Sequence, residues 1–305
     1  MPYELSQVKW LWPVSKNGYD WLYAKGGDWC LRDWGYYSDH THYLPLQVSG
    51  LYRTFAETHL TRKEVQSFAN SYGLLGGFAQ RTTYDEPFEI WVREILRMRQ
   101  AVLLWDAATA RDMATLKRYI KWNGINAVWY RHPVSRIPSV AWGMPELFKT
   151  LISRKGSETY WKDPFQSLTP GDVIKPALFY VQNEVNASLK RTVVPSLLWD
   201  PNYLAMSLHL TPGTLLGCLW LQFAAGINNN TLYRECLQCG TPFAVGPGTA
   251  RMTKLFCSNA CRSKNYRERQ AKAQRLHAEG RALGDIASEL DTDVDTVRAW
   301  IEKGQ

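Results

Sequence analysis

Four of the chain's six cysteines fall within residues 236–261, as Cys236-x-x-Cys239 and Cys257-x-x-x-Cys261 with 17 residues between the pairs. This spacing constrains the fold more than any other feature. Each close pair can offer two thiolates from one tight loop, and two such loops complete a tetrahedral Zn²⁺ site with bonds of about 2.3 Å. Gly240 follows Cys239, where a knuckle must turn with little side-chain hindrance. Ser258 and Asn259 can cap a helix that starts near Cys261, so the second pair is expected at a helix N-terminus. The expected cofactor is one structural Zn²⁺ on Cys236, Cys239, Cys257 and Cys261. Two disulfides would use the same four residues, but disulfides belong mainly to secreted chains. Met1-Pro2-Tyr3-Glu4 has neither the basic nor the apolar run of a secretory leader, so a cytoplasmic location is expected. Cys30 and Cys218 stand apart in aromatic or apolar settings and read as buried thiols.

The chain has 305 residues and is 45% apolar, enough for two or three folded domains, one with a sizeable core. Its longest apolar run, Leu215 to Ala225, contains Gln222 and is too short to cross a bilayer, so no membrane partner is expected. The formal charge of +8 fits a polyanionic partner without identifying it. Its distribution is more informative. Residues 251–275 carry eight cations, Arg251, Lys254, Arg262, Lys264, Arg267, Arg269, Lys272 and Arg275, against the single acid Glu268. Residues 276–305 carry seven acids against Arg281, Arg298 and Lys303. The positive field therefore sits on the cysteine-bearing segment.

Residues 1–230 read as one mostly helical domain with short N-terminal strands. Trp21-Leu22-Tyr23-Ala24 and Trp29-Cys30-Leu31, split by Gly26-Gly27, suggest short strands or a hairpin. His40-Thr41-His42 is expected to be a surface turn, since no carboxylate or third histidine is timed with it. A short helix is expected around Leu51 and Phe55. A second is expected from the Thr61-x-x-Glu64 capping box to Gly73. After Pro87, the residues Trp91, Ile95, Met98, Val102 and Trp105 recur by four and three, an apolar stripe expected to face the core. A strand is expected over 127–130, a loop over 131–145 and a helix from Thr169-Pro170-Gly171-Asp172 to about Leu189. Residues 193–210, broken by Pro195 and Pro201, read as mixed structure. Thr211-Pro212 reads as the opening of a last helix that ends near Ile227. The polar run Asn228-Asn229-Asn230 marks the boundary.

No GxSxG, HExxH, P-loop or dinucleotide fingerprint occurs, and no catalytic residue is assigned. Gly246-Pro247-Gly248-Thr249 lacks the Gly-Lys-Ser/Thr of a phosphate loop and reads as the connection between the halves of the metal site. The tryptophans suit an aromatic-lined ligand pocket or, as the simpler expectation, an ordinary core.

The remaining sequence divides into 231–269, a four-cysteine zinc finger with a basic helix, and 270–305. Arg262 to Glu279 is free of Gly and Pro, with Tyr266, Ala273 and Leu276 as inward candidates. Leu283, Ile286, Ala287 and Leu290 form one helical face, Asp291-Thr292-Asp293 a turn, and Val294, Val297 and Ile301 a second face. This is the pattern of a helix-turn-helix. Ala287 is small where the helices would cross, and Val297 would fill the angle. Asp291 occupies the turn position that commonly carries Gly. Thr296 and Arg298 lie on the outward side of the second helix. Asp293 and Asp295 suit its N-terminus but oppose DNA phosphates.

Cys-x-x-Cys-Gly, a variable loop, then Phe-Cys-Ser-x-x-Cys-Arg and a basic helix resembles the treble-clef zinc fingers of bacterial regulators. It is most similar to the CGNR-type finger that follows an ABATE-like domain in stress-linked transcription regulators. Here Arg262-Ser263-Lys264 stands where that type has Gly-Asn-Arg. The chain as a whole is expected to be α+β and mostly helical, and the resemblance implies that Cys236, Cys239, Cys257 and Cys261 bind zinc and that the basic residues after Cys261 meet nucleic acid. Residues 270–303 are also similar to the small helix-turn-helix of site-specific recombinases and transposase-like regulators. The resulting expectation is a zinc-dependent DNA-binding regulator. Its candidate contacts are Arg251, Lys254, Arg262, Lys264, Arg267, Arg269, Lys272, Arg275, Thr296 and Arg298. Residues 1–230 would sense a small-molecule effector or form a homodimer. Two alternatives stay open: an enzyme or toxin acting on nucleic acid through residues 1–230, and a zinc-finger adaptor that binds protein.

Overall fold

The structure, a computed structural model, describes residues 10–24, 27–34, 39–76, 85–123, 127–131, 147–148, 169, 171–200, 205–229, 231–245, 251 and 253–302. The chain is α+β and mostly helical, with several small antiparallel sheets. It separates into two compact units, Met1–Asn230 and Thr231–Gln305. No helix among the described residues is long and apolar enough to cross a membrane. Of the loop expected over 131–145, Arg131 belongs to a strand, and the rest lies outside the described residues, as does the expected connection at 246–249.

The first unit begins with β1 (Trp12–Ser15), β2 (Asp20–Tyr23), β3 (Trp29–Arg32) and β4 (His40–Tyr43). The expected hairpin is β2 on β3. The His40-Thr41-His42 segment is a strand paired with β1 rather than a turn. Its carboxylate partner lies earlier in the chain, where His40 Nε2 is 2.5 Å from Asp33 Oδ2. Helices α1 (Leu51–Glu57) and α2 (Arg62–Tyr72) follow. The side chain of Thr61 accepts from Glu64 N at 3.3 Å, and Gly73 ends α2 at φ 91°. Strand β5 (Asp85–Pro87) joins the edge of β3 and leads into α3 (Phe88–Thr109), which buries Trp91, Ile95, Met98 and Val102 of the expected stripe in the core and leaves its fifth member, Trp105, half-buried.

After α4 (Met113–Tyr119), the strands β6 (Ile120–Asn123), β7 (Ala127–Arg131) and β8 (Leu147–Phe148) form a three-stranded sheet. Helix α5 (Ile174–Thr192) is opened by Asp172, whose Oδ1 accepts from Ile174 N at 2.9 Å. Residues 193–210 are more ordered than their prolines suggest. They contribute β9 (Val193–Asp200) and β10 (Ala205–Pro212), an antiparallel pair that holds Pro195 within a two-stranded sheet. A proline can sit there because the missing N–H costs little on an open edge. The last helix of this unit, α6 (Leu215–Asn228), does not open on Thr211-Pro212. Those residues end β10, and Thr214 is the cap, accepting from Gly217 N at 3.0 Å.

The core forms where α3 packs on α1 and α5, and α6 on α1 and α5. Helix α6 is buried on nearly every side, from Leu215 to Phe223. Gln222 fits this run because its Nε2 donates to Pro45 O and Val48 O, both at 2.9 Å, so its burial leaves no donor unmet. Gly217 is required by close approach, since a Cβ there would lie 2.7 Å from Thr192 O at the end of α5. Arg97 joins α3 to α5. Its Nη1 donates to Glu94 Oε2 and its Nε to Glu184 Oε2, each at 2.8 Å, and its Nη2 donates to Ser188 Oγ at 3.2 Å. Glu94 and Ser188 are buried, so removing the arginine would strand polar groups away from water.

Glu86 ties the N-terminal sheet to the end of α2. Its carboxylate, 4% exposed, accepts from Leu75 N at 2.9 Å and Gly76 N at 2.6 Å. Burial raises its pKa from 4.5 to about 7, with the two backbone donors opposing the shift. The folded state therefore holds a proton that the unfolded state has released, and stability falls as pH rises from about 4.5 towards 7. The loss is on the order of 3 kcal/mol. Glu86→Gln should flatten this dependence. Urea unfolding at several pH values, followed by tryptophan fluorescence, measures it selectively because thirteen of the fourteen tryptophans precede residue 231. A slope that persists unchanged in the variant would assign it to another group.

Candidate metal centre and basic helix

The second unit pairs β11 (Leu232–Glu235) with β12 (Pro242–Val245) and continues into α7 (Asn259–Ala278), α8 (Leu283–Glu289) and α9 (Val294–Glu302). The turn between β11 and β12 is the first thiol-bearing loop. Cys236 N donates to Thr241 O at 3.1 Å, and Gly240 N to Cys236 O at 2.8 Å. Gly240 has φ 71°, and a Cβ there would meet nothing within 4 Å, so the backbone conformation rather than space selects glycine. The second loop ends at Ser258, whose hydroxyl accepts from Cys261 N at 3.2 Å and caps α7. Leu237 N donates to Leu255 O at 3.1 Å and draws the two loops together. Phe243 and Val245 close the buried side of the cluster, with Phe256 beside them.

The four Sγ atoms of Cys236, Cys239, Cys257 and Cys261 all lie within 4.8 Å of one another. Three of their separations are 3.7 Å (Cys239–Cys257), 3.5 Å (Cys257–Cys261) and 3.7 Å (Cys261–Cys239). All four are free thiols, and these gaps are far longer than a disulfide bond of about 2.05 Å. A tetrahedral ion with bonds of about 2.3 Å would place its sulfur ligands about 3.8 Å apart. The donor set therefore fits a metal ion.

The electrostatics agree with this geometry. Burial opposes ionisation of Cys236, but backbone N–H groups of Cys257, Gln238 and Cys239 outweigh it and bring the thiol down to about 6. Burial, then the thiols of Cys261, Cys236 and Cys239, push Cys257 up to about 12. Four sulfurs this close cannot all carry charge without a cation between them, whereas a metal deprotonates its thiol ligands.

Helix α7 crosses the expected division at 269/270 without a break. Its C-terminal half packs with α8 and α9 around Ala273, Leu276, Ile286, Ala287, Leu290, Val297 and Trp300. Tyr266, expected to be inward, is 46% exposed and meets Trp300 edge-on at 5.6 Å. The inward face of α9 is formed by Val297 and Trp300, with Ile301 half-buried. Val294, expected inward, is exposed, and Trp300 completes the face instead. The step of three from Val297 to Trp300 on an amphipathic helix is the signal that the sequence carries for it. Asp291 adopts the left-handed conformation, φ 48°, that glycine commonly supplies in such a turn.

The ten residues expected to meet nucleic acid fall into two groups. Arg269 Nη2 donates to Leu290 O at 2.5 Å and Asp291 O at 3.3 Å, and its guanidinium lies 5.4 Å from the Trp300 ring centre. Lys272 pairs with Glu289 at 2.7 Å, Thr296 Oγ1 donates to Asp293 Oδ2 at 2.7 Å, and Arg298 pairs with Asp295 at 2.9 Å. Arg269 and Lys272 thus serve the packing of the helices and Thr296 the capping of α9, while Arg298 makes an exposed pair one turn along α9. Lys254 Nζ donates to Cys257 O at 3.2 Å, beside the thiols. Arg251, Arg262, Lys264, Arg267 and Arg275 are exposed. Lys264, Arg267 and Arg275 share one face of α7, spaced by three and then eight, opposite the packed face of Ala273 and Leu276. Lys264 lies 3.8 Å from Glu268 and Arg275 lies 4.0 Å from Glu279, loose surface pairs worth little.

No family model, curated protein or solved structure matches the chain.

Cys257→Ser, or treatment with a metal chelator, should sharply increase hydrogen exchange from β11 through the first turns of α7 and leave the first unit unchanged; unchanged protection at the knuckle would show that the thiols hold no structural ion. Arg269→Ala should destabilise α8 and α9 by about 1–3 kcal/mol, because two carbonyls lose a charged donor. Amide exchange in those helices measures the loss.

Proposed function

We propose that the chain is a zinc-dependent DNA-binding protein of the regulatory kind, in which the exposed basic face of α7 grips the phosphate backbone. The observation that carries this reading is the placement of Lys264, Arg267 and Arg275 along one face of a helix whose N-terminal end adjoins the four clustered thiols and carries one of them, Cys261. Four converging thiolates in tetrahedral spacing suit Zn²⁺, with iron as the chemical competitor. Zinc has no redox chemistry of its own and would act here by holding Cys236, Cys239, Cys257 and Cys261 together. The chain's own part is then to present cations from a helix fixed at its first turn, so that phosphates are neutralised with little loss of chain freedom. The resemblance of 236–269 to treble-clef regulators supports the same reading.

The helix-turn-helix expectation takes a narrower form. With Thr296 turned to Asp293 and Arg298 paired to Asp295, the N-terminus of α9 carries acid where a recognition helix would approach phosphates. We assign phosphate contact to α7 and give α9 a supporting role. The same acidic turn favours a protein-binding adaptor as the second reading.

Fluorescence anisotropy on duplex DNA across a salt series tests the assignment. The triple variant Lys264→Ala, Arg267→Ala and Arg275→Ala should weaken binding and lower the salt slope by about 1 for each side chain removed. Arg298→Ala should leave the slope unchanged. Absence of duplex binding at low salt with the metal in place would turn the reading to the adaptor, and metal analysis distinguishes zinc from iron.

A further inference from the structure

The β9–β10 pair carries an unpartnered apolar face. Its register sets Val193 opposite Pro212, Pro195 opposite Leu210, Leu197 opposite Leu208 and Trp199 opposite Met206. Residues directly opposite point the same way, and alternate positions along a strand share a face. All eight of these side chains therefore lie on one face, and all are apolar. The other face mixes Val194 and Leu198 with Ser196, Ser207, His209 and Thr211. At the base of the arm the apolar stripe is covered. Val193 and Leu210 pack on Leu46, Cys218 and Leu221, and Pro212 is buried. Gly213 N closes that end by donating to Thr192 O at 2.8 Å. Further out the same stripe continues uncovered, with Leu197 66%, Trp199 55%, Met206 67% and Leu208 67% exposed.

Two physical arguments point to the occupant. A two-stranded ribbon is marginal in water unless another layer covers one face, and among the described residues no further strand pairs with this one. No charged residue occurs from Val193 to Trp199 or from Ala205 to Pro212, so the arm offers nothing to a polyanion or a charged peptide. What matches a neutral, apolar ladder is an identical ladder. The four outer side chains leave roughly 500 Å² of apolar surface in water, at the upper end of what a monomer keeps. Two such faces pressed together would bury about 1,000 Å², the threshold for a specific interface.

We propose that the outer face of the β9–β10 arm is a homodimer interface, formed when Leu197, Trp199, Met206 and Leu208 of two copies pack face to face about a two-fold axis. The inference is independent of any role in DNA binding.

Sedimentation equilibrium of the full chain with its metal, at tens of micromolar, tests it. The expected mass is twice the 35.1 kDa of one chain. Leu208→Glu should halve that mass, while Ser207→Glu, one residue away on the opposite face, should leave it doubled. Circular dichroism confirms that both variants stay folded. A third variant, Leu197→Ser, removes apolar area without adding charge and should shift the equilibrium in the same direction as Leu208→Glu. A monomer throughout the concentration range overturns the proposal, including the case in which the protein instead sediments with neutral phospholipid vesicles. A dimer insensitive to Leu208→Glu, or equally sensitive to Ser207→Glu, overturns it as well.

Discussion

Four sulfur atoms within 4.8 Å of one another are the constraint on which the second unit depends. Mutual repulsion prevents their joint ionisation, and their hydrogen bonds are too weak to hold two separate loops in register. A cation at their centre would resolve both problems. It would convert a short hairpin with a small apolar cluster and the start of a helix into one fixed element. The remainder of the unit has a compact core of its own around Trp300, but α7 connects that core to the thiols without interruption. With a metal bound, orientation of the basic residues would be inherited from that site.

The first unit rests on different forces. Its helices bury large aromatic and aliphatic side chains, with Tyr52 against Phe223 and Phe55 against Trp91, and α6 runs through the middle. Three polar side chains inside this core bridge its elements: the amide nitrogen of Gln222 to the carbonyls of 45 and 48, Glu86 to the amides of 75–76, and Arg97 to Glu94, Glu184 and Ser188. Such contacts add less net stability than the apolar burial around them. They specify position, because leaving any one unmet costs more than making it gains.

The clustering of the four cysteines was legible in the sequence because it is encoded in local spacing, and the helix caps at Thr61 and Ser258 for the same reason. The stripe of α3 was legible because its period repeats. What escaped detection depended on residues distant in the chain. The carboxylate facing His40 comes from Asp33, outside the strand that carries the histidine. Residues 193–210 concealed an antiparallel strand pair because two prolines interrupt their composition, although every second residue of β9 from Val193 to Trp199 is apolar. The division of the cations into structural and exposed groups was also hidden. Arg269 and Lys272 differ from Lys264 and Arg267 only in which side of α7 they occupy and which acids or carbonyls α8 and its turn bring to them.

The unbroken course of α7 has a consequence for how such a chain can change over time. Each residue of an α-helix turns its successor by about 100°. The first turn is locked to the thiols and the last turns to α8 and α9, so the number of residues between Cys261 and Ala273 sets the angular phase of everything between them. Point substitutions along the exposed face are absorbed locally. A one-residue insertion or deletion would swing the cations towards the packed side and the packed residues towards water, whatever amino acid was added. In related chains this interval should therefore tolerate substitutions that keep each face's character but hardly any change in length.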